Sequence, residues 1–111
     1  MNKRLIGKEA ENFAINYLLK ENYKILEKNF FSKFGEIDVI AEKDNTIVFI
    51  EVKYRKNSNY GLPYESINNI KKDRIIKTAN LYLNNNLDKN IRFDLISILN
   101  NKIEHFKNIF D

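Results

Sequence analysis

Two carboxylates and an ammonium stand where the surrounding pattern calls for apolar side chains. Glu51 and Lys53 lie in or at the end of residues 46–53, the most apolar run of the chain. Period two puts both on the face that carries Ile47 and Phe49. Asp38 lies inside an alternating run at residues 35–41. Pairing across a turn at Asp44-Asn45 places Asp38 opposite residues near Glu51 and Val52. A lone carboxylate in such a strand is costly unless it is paired or bound to a metal. The trio suits metal-assisted phosphodiester hydrolysis, in which Mg²⁺ takes carboxylate, water and phosphate oxygens. The metal neutralises phosphate charge and acidifies a bound water, while a nearby Lys positions that water or stabilises developing charge. The competing reading is an Asp38–Lys53 or Glu51–Lys53 ion pair at a strand end, and spacing alone leaves both open.

The elements that must hold these residues follow from periodicity. Ile6, Ala10, Phe13, Ala14, Tyr17 and Leu18 form one stripe of an amphipathic helix. Tyr23, Ile25 and Leu26 lead into an extended segment ending near Phe31. Residues 35–41 put Ile37, Val39 and Ala41 on one face and Glu36, Asp38 and Ile40 on the other. Residues 46–53 are apolar enough for a strand buried on both faces. A polar loop follows at residues 54–63, containing Gly61 and Pro63. A second helix carries Ile67, Ile70, Ile75, Ala79, Tyr82 and Leu83 and ends at Asn84-Asn85-Asn86. Two strands at residues 91–99 and 102–106, turning at Asn100-Asn101, complete the order α-β-β-β-α-β-β. The fold class is α/β, a single mixed sheet flanked by helices.

Composition narrows the chemistry further. A length of 111 residues, 43% of them apolar, predicts one domain spanning residues 1–111 with a core that needs no staples. Cys is absent, which excludes disulfides, thiolate zinc sites and Cys nucleophiles. His105 is the single His, so a His-rich metal site is excluded and a Ser-His-Asp triad has little scope. Chemistry on oxygen ligands, which requires no His or Cys, suits such a chain. No run approaches the length of a membrane span, and residues 1–7 lack an apolar signal core, so the expectation is a cytoplasmic protein with no membrane association. A net charge of +4 leans toward a polyanionic partner. The excess of Lys, Asn and Ile is also what an AT-rich coding sequence yields, so the placement of charges says more than their sum.

Asp38, followed after a hairpin by Glu51-Val52-Lys53, resembles the signature of the PD-(D/E)XK, restriction-endonuclease-like superfamily. Over nearly its whole length the chain resembles the small bacterial YraN-like family, relatives of archaeal Holliday-junction resolvases. The matching stretches are Glu11-Asn12-Phe13-Ala14, Asn29, Gly35-Glu36-Ile37-Asp38-Val39-Ile40-Ala41 and Val48-Phe49-Ile50-Glu51-Val52-Lys53-Tyr54-Arg55. Gly61 with Pro63, Lys71 and Arg92-Phe93-Asp94 follow in the same order. The resemblance implies a restriction-endonuclease-like fold and a nuclease acting on DNA, branched DNA included, with Mg²⁺ or Mn²⁺. It implies Asp38, Glu51 and the Val52 carbonyl as metal ligands, Lys53 as the catalytic lysine and Glu11 as a helix-borne acid of the site. Helical arithmetic alone does not select Glu11, because Glu9 and Glu11 border opposite edges of the apolar stripe. Ala10 departs from the pattern, which often has Gly there. A non-catalytic nucleic-acid-binding module, or a subunit completed by a partner or by a homodimer, is the rival reading.

The remaining candidates each carry two readings. Lys71, Lys72, Arg74 and Lys77 either contact a nucleic-acid backbone or form a solvated helix face, with Lys71 also matching a family position near the site. Arg55 either binds phosphate or caps the loop. Tyr54, Tyr60 and Tyr64 stack on bases or pack the loop. Arg92 and Asp94 read as a structural pair on one strand face, and His105 is assigned no role.

Overall fold

A chain with three glycines must find another residue for its left-handed turns. A computed structural model describes residues 3–55, 67–86 and 88–110, with side chains from residue 7 onward. It contains α1 (Lys3–Lys20), β1 (Lys24–Ser32), β2 (Gly35–Lys43), β3 (Thr46–Arg55), α2 (Asn69–Leu83), β4 (Asn90–Leu99) and β5 (Lys102–Phe106), the order expected. The β2–β3 turn has φ of 51° and 59° at Asp44 and Asn45, and the β4–β5 turn has 52° and 63° at Asn100 and Asn101. Positive φ at both central residues is what a two-residue type I′ hairpin requires. Asn84, at φ 47°, ends α2 by donating its N–H to the Asn80 carbonyl. Among the described residues every left-handed position outside glycine is Asn or Asp. These side chains tolerate that region best after glycine. The Asn-rich composition therefore has a structural use as well as a coding origin.

One mixed sheet runs in the order β1-β2-β3-β4-β5, antiparallel throughout except for β3 with β4. The parallel pair needs a crossover, and α2 supplies it. On one face α1 buries Ala10, Ala14 and Leu18 against Val39, Ala41, Val48, Ile50, Ile96 and Ile98. On the other, Ile75, Ala79 and Leu83 of α2 pack on Ile37, Ile40, Ile47 and Phe49. Central β3 thus feeds both cores, as its continuous apolar run implied.

The expected alternation of β2 breaks at Asp38. Ile37 joins the α2 core while Val39 and Ala41 join the α1 core. Across the ladder, the pairs Lys28↔Val39 and Phe30↔Ile37 flank Asn29, whose φ is 52°. A left-handed residue in β1 opposite Asp38 breaks the regular pleat there, and strict period two misplaces Ile37. Two stripe members also differ from expectation. Phe13 is 40% exposed and Ile70 is 65% exposed, because each lies off the line of contact with the sheet. Ile67 precedes α2, whose N-cap is Asn68, the side chain accepting from Lys71 N at 2.9 Å. Tyr54 and Arg55 belong to β3, paired with Ile98 and Leu99, and not to a loop. Tyr60, Tyr64, Gly61 and Pro63 lie outside the described residues.

Arg92 and Asp94 do pair, and they belong to a larger buried network. Arg92 grips Asp94 through Nε and Nη2, both at 2.9 Å, and its Nη2 also donates to the Tyr23 hydroxyl at 2.8 Å. His105 Nε2 lies 2.7 Å from Asp94 Oδ2, and its Nδ1 lies 2.9 Å from the Tyr17 hydroxyl. Nε2–H donating and Nδ1 accepting is the tautomer that satisfies every atom. Asn108 N completes the shell of Asp94 at 3.0 Å. His105, given no role from sequence, thus joins α1, β4 and β5. Burial alone would raise the Asp94 carboxyl, but His105, Arg92 and Asn108 together hold it below its usual range.

Two measurements test these statements. Urea unfolding of Asn101→Ala shows a loss of about 1 kcal/mol, whereas Asn101→Gly is neutral or stabilising, because only the left-handed cost differs. Asp94→Ala costs about 3 kcal/mol by leaving its partners buried and unpaired. The depressed Asp94 carboxyl stabilises the fold above its unfolded pKa of about 3.9, and that contribution disappears as pH falls through the lower folded value. The part of the acid arm that Asp94 contributes to the wild-type stability curve is therefore missing in Asp94→Ala.

Candidate metal centre

The ladder between β2 and β3 runs from Lys43↔Thr46 to Val39↔Ile50. One step further the two strands carry Asp38 and Glu51 at facing positions. Here Asp38 Oδ2 accepts the Val52 N–H at 2.8 Å. A side chain thus takes a backbone donor where the strand pairing ends. The carboxylate is held in place by β3 and presses against the edge of the core.

Glu11 and Glu36 join it. The carboxylate oxygens of Glu11, Glu36 and Asp38 lie within 4.8 Å of one another. Glu11 follows buried Ala10 on α1, and the small Ala10 and Ala14 let the helix approach the sheet closely enough to bring it there. Glu9 is exposed, so the fold settles the choice that helical spacing left open. Glu36 was not singled out from sequence, although its same-face spacing with Asp38 was visible as Glu-x-Asp.

Glu51 stands beside this trio. It is 12% exposed and lies 3.2 Å from Lys71 Nζ of α2. The sequence readings gave Glu51 to Lys53 or to a metal, yet its direct partner is Lys71. Lys53 is exposed at the same strand end, and its charge helps to hold Glu51 ionised. Val52 enters through its N–H. Among the described residues Arg55 makes no ion pair with these acids, and one of its buried guanidinium nitrogens has no hydrogen-bond partner. Arg74 is exposed on α2 near the site, its Cβ packed over Gly35, whose φ of 150° disfavours other residues.

The electrostatics follow from burial and crowding. Burial pushes Asp38 up to about 7, with Glu51, Glu11 and Glu36 adding to the rise and the Val52 N–H opposing it. Burial also raises Glu51, and Lys71 pulls it back. Glu36 is raised by burial and by Glu11. Like charges so held disfavour simultaneous ionisation unless a cation intervenes. The donor set is hard oxygen, without His or Cys, which fits Mg²⁺ or Mn²⁺. Glu11, Glu36 and Asp38 would hold such an ion.

A raised carboxylate means that the native state binds more protons than the unfolded chain between about pH 4 and pH 7. The Asp38 contribution to apo stability therefore falls as pH rises through that window. Asp38→Asn, which keeps an acceptor for the Val52 N–H, gains on the order of 2–4 kcal/mol over wild type at pH 8 in the presence of a chelator. If these acids hold a divalent ion, the expected outcome is that millimolar Mg²⁺ raises the wild-type melting temperature through linkage. Calorimetry checks it, the expected result being that the shift is lost in Asp38→Asn and reduced in Glu36→Gln.

No helix among the described residues is long and apolar enough to cross a membrane. Three relatives share the chain almost end to end. A UPF0102 protein of Persephonella marina is 52% identical, over 95% of this chain and 92% of its own length. One from Fusobacterium nucleatum is 49% identical, over 98% and 93%. One from Sulfurihydrogenibium is 47% identical, over 99% and 97%. The model of the uncharacterised protein family UPF0102 matches residues 10–98. With most of α1, all of α2 and Asp38, Glu51 and Lys53 inside that span, the chain belongs to the UPF0102, YraN-like family.

Proposed function

We propose that this protein is a divalent-metal-dependent nuclease with a restriction-endonuclease-like fold, hydrolysing phosphodiester bonds in DNA. One observation carries the reading: Glu11, Glu36 and Asp38 converge at one strand end with their oxygens within 4.8 Å. Lysines flank this cluster on two sides, Lys71 from α2 and Lys53 from β3. Mg²⁺ or Mn²⁺ there would neutralise phosphate charge and acidify a bound water. Asp38 is fixed by the Val52 N–H and cannot swing away, so it anchors the site. Lys53, exposed at the rim, faces an incoming phosphate and stabilises charge that develops on it. Lys71 holds Glu51 and adds a second positive charge on the α2 side.

The rival reading, a nucleic-acid-binding module without turnover, draws on one observation. The Lys71–Glu51 pair satisfies Glu51 without any metal, as a purely structural ion pair would.

A cleavage assay over labelled linear, flapped and branched DNA separates the two. With Mg²⁺ or Mn²⁺ the wild-type protein cuts at least one substrate, and chelation stops it. Lys53→Ala lowers turnover by at least about 100-fold while affinity in Ca²⁺ changes little, since its role lies in the transition state. Asp38→Ala also removes turnover. Binding weakens with salt at a log–log slope of about −0.9 per phosphate neutralised, and Arg74→Ala or Lys71→Ala lowers that slope by up to about one. DNA binding without cleavage under every metal condition selects the non-catalytic module. Cleavage unchanged in both Lys53→Ala and Asp38→Ala removes this site from consideration.

A further inference from the structure

Next to the acidic cluster, the β1–β2 turn and the N-terminal half of α2 enclose a groove of about 350 Å³. Glu36 belongs both to its wall and to the cluster, so the groove opens directly onto the candidate metal centre. Its other surfaces are of two kinds. Phe34, Ile70 and Ile75 are apolar, and Ile70 is 65% exposed, off the contact between α2 and the sheet. Lys71 and Arg74 are cationic, and the Arg74 guanidinium has no ion-pair partner among the described residues. Two further cations crowd the aromatic ring, with Lys33 Nζ at 5.2 Å and Lys77 Nζ at 5.5 Å from the Phe34 centroid.

An aromatic and aliphatic surface ringed by cations, beside a site for a phosphodiester, complements a base and its phosphate together. A paired base has both faces stacked within the duplex and cannot enter a groove walled by a helix and a turn. We propose that this groove receives one unpaired nucleotide adjoining the scissile phosphate, its base against Phe34 and Ile70 and its phosphate on Arg74, so that the substrate class is single-stranded, flapped or overhanging DNA. This proposal rests on the nuclease reading of the neighbouring site. Specificity of this kind depends on π-faces and not on base edges, so it is indifferent to sequence.

Fluorescence anisotropy with the full chain in millimolar Ca²⁺ tests it. The probes are a labelled oligo-dT, a strand of abasic units with the same number of phosphates, and a blunt duplex of equal length. The wild-type protein binds oligo-dT about tenfold or more tightly than the abasic strand, the advantage expected of base stacking. Phe34→Leu keeps apolar volume but removes the ring, and it reduces that advantage to less than about threefold while abasic affinity holds. Ile70→Ser, at a position that is already exposed, acts in the same direction and guards against a folding defect at Phe34. Arg74→Ala weakens both single strands equally. Equal affinity for oligo-dT and the abasic strand overturns the groove proposal, as does a duplex bound as tightly as oligo-dT. The Mg²⁺ cleavage assay keeps the two readings apart. Base-dependent binding without cleavage removes the nuclease and keeps the groove, whereas duplex cleavage unchanged in Phe34→Leu keeps the nuclease and overturns the groove.

Discussion

Everything at the candidate site depends on a carboxylate accepting a backbone N–H where two strands stop pairing. The bond from Val52 N to Asp38 Oδ2 supplies an acceptor beyond the last ladder pair, Val39↔Ile50. It also fixes an acidic side chain against the edge of an apolar core, a placement that burial alone disfavours. Glu11, Glu36 and Glu51 crowd the same end of the sheet, with Lys71 as the cation in direct contact. The surplus of negative charge has two remedies, a proton or a cation. Protonation is the remedy that the raised Asp38 carboxyl already shows.

The rest of the fold reads as support for that arrangement. Helix α1 must present Glu11 at a fixed height, and two sets of contacts hold it. Ala10, Ala14 and Leu18 seat it on the sheet, while the Tyr17 hydroxyl bonds to His105, itself anchored on Asp94. Helix α2 crosses the opposite face because β3 and β4 are parallel, and that crossing carries Lys71 and Arg74 to the same strand end. The two helices therefore deliver opposite charges from opposite faces of one sheet. The buried His–Asp–Arg network stands apart from the acids, and its part is to lock the scaffold.

The turns show how composition and structure meet. Tight hairpins at Asp44-Asn45 and Asn100-Asn101 use residues that accept positive φ without glycine. The first sets the register that brings Asp38 to face Glu51, so the turn chemistry and the site geometry are coupled. The left-handed Asn29 has the reverse effect, breaking the pleat of β1 opposite Asp38.

Much of this was legible in the amino-acid order alone. Apolar periodicity located all seven elements, and Asp44-Asn45 and Asn100-Asn101 located two of the three hairpin turns, because these signals arise from neighbours in sequence. Asp38, Glu51 and Lys53 were conspicuous as charges within apolar strands, and Arg92 with Asp94 as a same-face pair. Other features depended on tertiary contacts. Strict alternation misplaced Ile37, since the break in the pleat comes from Asn29 on another strand. Helical spacing could not choose between Glu9 and Glu11, because the choice depends on how α1 is rotated against the sheet. Glu36 entered the site, and His105 the scaffold, through contacts between residues distant in the chain, and only packing gave Lys71, matched in sequence to a position near the site, its partner Glu51. Phe13 and Ile70 satisfy the helical stripe yet remain exposed, because each lies off the line along which its helix meets the sheet. Local order thus determined which residues form each element. The packing of helices on a sheet whose pairing ends at Asp38 decided which of them share a site.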